Sequence, residues 1–272
     1  MAIETVDKVL SNIKIIASVP ISQNRFTDDY IRYLMLREMD AKVYPALTRQ
    51  NQEYLSKTVL LETSAEGVLT IPDDAYLQSV ISIRDVNGKY LNSVDREHQD
   101  MHLNNYSFVG NTIHTNYKND ELEVVYVPEA KAFVETSSQA TVVLINESLS
   151  RLTVSAPIDD RVVDIITPLN KVVRESVIRT GGINTQVTLD DVSDVSVGDY
   201  ILTVGTTPFV GVSSLVVRYL ERCVANALLE EIQDTAMLQV GKVSELAMLN
   251  TLLDALSSRG NKSTVIQTRR RF

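Results

Sequence analysis

Residues 213–232 read Ser-Ser-Leu-Val-Val-Arg-Tyr-Leu-Glu-Arg-Cys-Val-Ala-Asn-Ala-Leu-Leu-Glu-Glu-Ile, and their spacing decides the fold. Val216, Val217, Leu220, Cys223, Val224, Ala227, Leu228 and Ile232 recur at the 3.6-residue period, which predicts a long helix with one broad apolar face, capped by Ser213 or Ser214. Such a face needs partners. Downstream, Val243, Leu246, Ala247, Leu249, Leu253 and Leu256 predict a second helix, with Gly260 placed as its left-handed cap. Asn261 to Phe272 then reads as an extended tail. Upstream the grammar is different: residues 131–210 are dense in Val, Ile and Thr and hold no long helix-period segment. Strands are expected at Ala140–Ile145, Leu152–Ser155, Val162–Thr167, Glu175–Arg179, Gln186–Leu189 and Tyr200–Val204, with turns at Gly181-Gly182 and Gly198-Asp199. Short strands in that number suit a small sandwich or barrel, whose strand order the sequence does not give.

The N-terminal third supplies the missing helical partners. Val6, Val9, Leu10, Ile13, Ile16 and Ala17 predict one helix, which Pro20 stops. Thr27, followed by Asp28 and Asp29, caps a second helix that carries Ile31, Leu34, Met35, Glu38 and Ala41, and Pro45 is expected to end or kink it. The polar segment up to Leu55 is open between short helix and loop. From Lys57 the period changes to two: Val59–Glu62, Val68–Ile71, Val80–Val86, Lys89–Leu91, Tyr106–Val109, Thr112–Thr115 and Glu121–Val127 form a β-meander. Asn87-Gly88 suits a type I′ hairpin turn and Gly110-Asn111 a second hairpin. The predicted class is therefore α+β, an antiparallel helical bundle with a β-meander and an inserted all-β domain. Its parts are residues 1–130 (helical hairpin and meander), 131–210 (insert, with its two ends close together), 211–260 (helices completing the body) and 261–272 (tail).

Composition bounds the function. Of the residues, 44% are hydrophobic and 22% charged, enough to bury a core. The net charge of −9 argues against a protein that grips nucleic acid across its surface. No apolar run approaches the roughly 18 residues of a membrane span, and Met1-Ala-Ile-Glu-Thr-Val-Asp7 lacks the order of a signal peptide, so synthesis in a cytoplasm without membrane association is expected. The single cysteine, Cys223, falls on the apolar face of the third helix and reads as a buried thiol.

No chemistry-bearing motif emerges. His98 and His102 have i, i+4 spacing, but Gln99 stands where a zincin needs its glutamate and no third ligand follows at motif distance. Asp28-Asp29, Asp73-Asp74, Asp159-Asp160 and Asp190-Asp191 are carboxylate pairs, most of them where helix caps or strand-end turns belong. Phosphate loop, nucleophile elbow and dinucleotide fingerprint are all missing from the sequence. The expectation is no enzyme, no catalytic residue, no cofactor and no metal.

One feature exceeds an ordinary domain. Residues 259–272 hold Arg259, Lys262, Arg269, Arg270 and Arg271 and no acid, so the rest carries 21 basic against 35 acidic residues, or −14. Val265, Ile266 and the terminal Phe272 add apolar anchors among these charges. A partner site is thus predicted at Lys262, Val265, Ile266, Arg269, Arg270, Arg271 and Phe272, the arginines pairing with carboxylates and the apolar side chains filling pockets.

The order of these features resembles the head-to-tail adaptor (connector, or head completion) proteins of tailed bacteriophages. The shared points are two N-terminal helices, a strand ending in Ile71-Pro72-Asp73, the run Ser79–Gly88 closing in an aspartate and glycine turn, Tyr106–Ile113 with Gly110-Asn111, the strand Leu122–Pro128, and a long helix pair with a C-terminal tail. Residues 131–210 depart from the shorter members. The resemblance implies a virion structural protein: a homo-oligomeric ring of about twelve copies beneath the portal, lengthening the DNA channel and offering a face to tail or nozzle proteins. It implies that Gly260–Phe272 run along the portal protein, and that genome DNA passes without specific binding through the virion neck. The competing reading is another virion structural or ligand-binding module, a tail or fibre component, that recognises its ligand through the insert. That reading wants a concave aromatic site, and the insert's aromatics are Phe133, Tyr200 and Phe209 alone.

Overall fold

The computed structural model describes residues 4–19, 25–50, 52–94, 104–182 and 184–268. It is mixed α+β, about 35% helical and 33% strand. Two compact units make up the chain, Met1–Val43 with Lys131–Leu252, and Tyr44–Ala130 with Leu253–Phe272. This division differs from the expected one, since the N-terminal helices group with residues 131–252 and not with the meander.

The first unit opens with β1 (Glu4–Thr5) and α1 (Val6–Ile16), whose N-cap Thr5 accepts a hydrogen bond from the Lys8 amide. α2 (Asp28–Glu38) starts the same way, with Thr27 accepting from the Tyr30 amide. Both helices bury the apolar face that the period predicted: Val6, Val9, Leu10 and Ile13 on one, Ile31, Leu34 and Met35 on the other. α2 does not run on to Pro45 in α-helical phase. A π-turn, Met39–Val43, intervenes, and its extra residue turns Ala41 outward and Val43 inward.

The second unit begins with α3 (Tyr44–Gln50), with Pro45 in its first turn; the expected end or kink falls just before Pro45, where α2 stops at Glu38 and the π-turn follows. β2 (Lys57–Glu62), β3 (Val68–Thr70), β4 (Ala75–Asp85), β5 (Asn92–Ser93), β6 (Asn105–Val109), β7 (Thr112–Thr115) and β8 (Glu121–Pro128) follow. They form two sheets, β2-β8-β4 and β3-β7-β6-β5. Leu69, Ile71, Ile83, Ile113, Leu122, Val124 and Tyr126 make the core here. The Asp85–Lys89 turn is not type I′, since Gly88 has φ 77° while Asn87 does not have positive φ; residues 89–91 do return on β4, through an isolated antiparallel bridge of Arg84 with Tyr90 in place of a longer strand. Asp85 decides this, because its side chain accepts from the amides of Asn87 (2.9 Å) and Lys89 (2.8 Å) and favours a three-residue loop.

Residues 131–210 return to the first unit as β9 (Ala132–Phe133), β10 (Ala140–Asn146), β11 (Arg151–Val154), β12 (Val162–Ile166), β13 (Val172–Ile178), β14 (Gln186–Thr188), β15 (Tyr200–Thr203), β16 (Thr206–Thr207) and β17 (Phe209–Val210). The six longer expected strands join one curled, half-barrel sheet in the order β13-β12-β15-β10-β11-β14. Val142, Leu152, Val163, Ile165, Val187 and Ile201 fill its concave side. The two ends of the segment meet: β9 pairs with β16 in parallel, and β17 pairs antiparallel with β1.

The last helices are α4 (Ser214–Ile232) and α5 (Thr235–Thr268). α4 packs on α1 through Asn12, whose amide donates to Glu221 at 2.7 Å, and on α2 through Tyr30, whose hydroxyl donates to Glu231. Asp234 caps α5 by accepting from the Met237 amide at 3.0 Å. α5 corrects two expectations together. Gly260 is not a cap, and residues 261–268 are helical and not extended, because one interior glycine costs only about 1 kcal/mol and no proline follows to stop the helix. Among the described residues no helix is long and apolar enough to cross a membrane.

Candidate functional site

A part-buried polar cluster lies in the first unit, where the π-turn, α4 and the first half of α5 supply charged groups to one place. The π-turn sets Lys42 one turn beyond Glu38, and Lys42 Nζ lies 3.1 Å from Glu38 Oε2 and 2.9 Å from Glu245 Oε1 on α5. Asn226 on α4 donates to Glu245 Oε2 at 2.7 Å. Cys223, one helical turn earlier, is fully buried beside them. The remaining oxygen of Asn226, Oδ1, has no hydrogen-bond partner among the described residues, and it faces Gly241 of α5. A Cβ at position 241 would stand 2.0 Å from that oxygen, so only glycine lets α5 lie this close to α4.

The electrostatics of the cluster favour a clamp over a reaction centre. Burial pulls the Lys42 ammonium down, but the hydrogen bonds and charges of Glu245 and Glu38 outweigh it and hold the group above its ordinary value. Burial raises Glu245, and Lys42 with Asn226 reverses this, leaving the carboxyl below its usual range. The two shifts agree on a standing ion pair. Burial pushes the Cys223 thiol up to about 12, with the Glu245 charge adding to the effect, so it is a neutral, unreactive thiol at physiological pH. A lysine held protonated, a Glu245 carboxyl held below its usual range and a neutral thiol supply no general base near neutrality and no nucleophile. What they supply is a fixed register for three helical segments.

A second buried pair ties the curled sheet together. Asp164 of β12, 2% exposed, accepts from the Ser176 amide at 2.9 Å and pairs with Lys131 at 2.8 Å. Ser176 has φ 51°, so the carboxylate holds an irregular point of β13 in place. On the sheet's outer side Arg174 bridges Asp191 and Asp194.

The sequence-predicted residues fall elsewhere. Lys262, Val265 and Ile266 belong to the last turns of α5, and Arg269, Arg270, Arg271 and Phe272 lie outside the described residues, as do His98 and His102. Most of the predicted partner site therefore lies outside the described residues. Of the carboxylate pairs, Asp28 bonds Lys14, Asp29 bonds Arg32, Asp74 accepts from the Tyr126 hydroxyl (2.8 Å) and Asp160 from the Thr203 hydroxyl (2.6 Å). Lys42, Asn226 and Gly241 were missed in the sequence. A lone glycine inside an apolar helical run, seven residues after the Asp234 cap, was the available signal for Gly241. Among the described residues no group of His, Cys, Asp and Glu is arranged to hold a metal ion. No family model matches the chain, and no curated protein is similar to it.

Proposed function

We propose that the chain is a structural protein of a tailed-phage virion, an adaptor that forms a ring of about twelve copies beneath the portal, joins head to tail and carries the DNA channel onward. In this reading the helices form a bundle, the meander belongs to the adaptor body, and residues 131–210 are an inserted β domain whose joined ends, β9 and β16, leave the body's path undisturbed. The observation that carries the reading is the charge division: residues 259–272, which include the last turns of the longest helix, are acid-free and rich in arginine, while the rest of the chain stands at −14. An acidic channel wall does not hold DNA phosphates, and a basic end reaches for carboxylates on a neighbour. Lys262, Val265, Ile266, Arg269, Arg270, Arg271 and Phe272 are the portal contacts. Tail or nozzle proteins take the opposite face of the ring, the genome passes without specific binding, and the chain acts in the virion neck without catalysis or cofactor.

Electron microscopy of the protein mixed with a portal tests this. Rings seated on the portal are expected with the full chain, and removal of residues 261–272 is expected to weaken seating sharply. A truncated chain that seats as well as the full one removes the assignment of the tail. Full-length protein that never seats on a portal, but binds a tail or fibre ligand through residues 131–210, favours the competing module.

A further inference from the structure

α5 is apolar on two sides. Its inward side carries Gly241, Glu245 and Leu252 against the rest of the first unit. Its outward side presents Ala236, Val240, Val243 and Ala247, at spacings of four, three and four residues, which is the seam of a helix made to pair with another helix. Val240 is 70% exposed and Val243 72%, with Leu246 at 59% and Met237 at 41% flanking them. An apolar helix face is ordinarily a covered one.

We propose that this outward face of α5 is the surface through which a second copy of the chain docks. The charge pattern selects the occupant. From Thr235 to Leu253 the only charged residues are Lys242 and Glu245; Glu245 is engaged inward by Lys42 and Asn226, and Lys242 is engaged by Glu230 at 2.7 Å. The seam thus offers no unpaired charge to nucleic acid or to an acidic or basic peptide. Copies that each carry −9 repel one another over most of their surface, so they meet most readily where charge is absent. The seam is also purely aliphatic, without the aromatic or arginine anchors that mark transient partner pockets, and so it matches the core-like interfaces of homo-oligomers. A stable interface takes about 800 Å² from each partner, so these side chains form the centre of a contact whose rim comes from around them. A single contact of this kind is weak and strengthens when a ring closes.

The inference rests on the ring reading only for that closure; the contact itself is argued from α5. Sedimentation of the full chain, from about 1 µM to about 500 µM, tests it against the double variant Val240→Glu, Val243→Glu. The wild type is expected to associate with rising concentration, and the variant to stay monomeric with an unchanged helix signal. Where the Glu variant loses helix signal, Val240→Ser with Val243→Ser replaces it, with the same expectation of a loss of at least tenfold in association. A folded variant that associates like the wild type overturns the α5 surface and leaves the ring reading standing. Wild type that is monomeric throughout overturns self-docking, and the ring reading is then decided by portal-bound images alone. Association that depends on α5 but saturates at a dimer supports the surface and counts against the ring.

Discussion

α4 and α5 are written in the same residues and end in different surroundings. Along α4, Val216, Val217, Leu220, Cys223, Val224 and Leu228 are nearly inaccessible, and even Glu221 and Asn226 are covered. Along α5, up to Leu252, Gly241 and Leu252 are buried while four large apolar side chains stand out in solvent. Periodicity therefore tells where a helix forms and which residues share a face, but not how many faces find cover within one chain. α4 receives α1 and α2 on one side and α5 on another; among the described residues α5 meets α4 at the point where a glycine permits it, and the π-turn through Lys42. Cover that is missing from a helix of this composition is expected from a second molecule.

The contrast breaks first in the core. Leu220→Ala on α4 removes a fully buried side chain and is expected to cost about 2–5 kcal/mol of unfolding free energy, measured by chemical denaturation. A cost under 1 kcal/mol would mean that α4 is not the covered helix described. Gly241→Ala comes next. Its Cβ meets Asn226 Oδ1, and Asn226 cannot swing away while its Nδ2 bonds Glu245, so the expected cost is about 1–3 kcal/mol. Adding Asn226→Ala should recover part of that loss in a double-mutant cycle; strictly additive costs would show that the helices do not touch there.

How much of this was legible follows from what each residue depends on. The helical faces of α1, α2 and α4 and the six longer strands of residues 140–203 are set by local spacing, and the sequence shows them directly. Three features were not legible locally. The π-turn after Glu38 adds one residue to a helix, which a fixed period absorbs without trace until Ala41 and Val43 exchange sides. The Asp85 turn is set by a side chain bonding two amides, not by the Asn87-Gly88 pair that catches the eye. The cluster of Glu38, Lys42, Asn226 and Glu245 joins residues about 200 positions apart, and its charges look like any solvated helix face until the packing is known. Gly260 misled for the converse reason: a glycine permits a helix to end but does not compel it.

Acid sharpens the same joint with a smaller effect. Glu245 is held below its ordinary carboxyl range, so its contribution is complete above the unfolded value of about 4.3 and is lost as pH falls through the lower folded value. Glu221 works in the opposite sense, since burial raises it and protonation relieves that penalty. Glu245→Gln is therefore expected to flatten the fall in stability between about pH 5 and pH 3 without abolishing it, because other carboxylates such as Asp191 and Asp194 are also held low. Denaturation midpoints measured across that range check it; an unchanged slope would mean that Glu245 is not ionised against Lys42.

The smallest expected change lies on the bare side of α5. Val240→Ser alters a side chain that is 70% exposed, so in dilute protein its effect on unfolding should stay within about 0.5 kcal/mol. That near-silence is a property of the single copy. If copies dock through this face, the folded state is stabilised by mass action, by about 2.7 kcal/mol when the partner stands at a hundred times its dissociation constant, and the serine variant forgoes that gain. Thermal midpoints of the two proteins should then coincide at low concentration and separate steadily as concentration rises, the wild type moving upward and the variant remaining in place. Leu220→Ala, by contrast, should lower the midpoint even where copies do not meet. Midpoints for wild type and Val240→Ser that rise together would place the contact elsewhere, and a variant already destabilised in dilute solution would show that Val240 is covered within the chain, as α4 is.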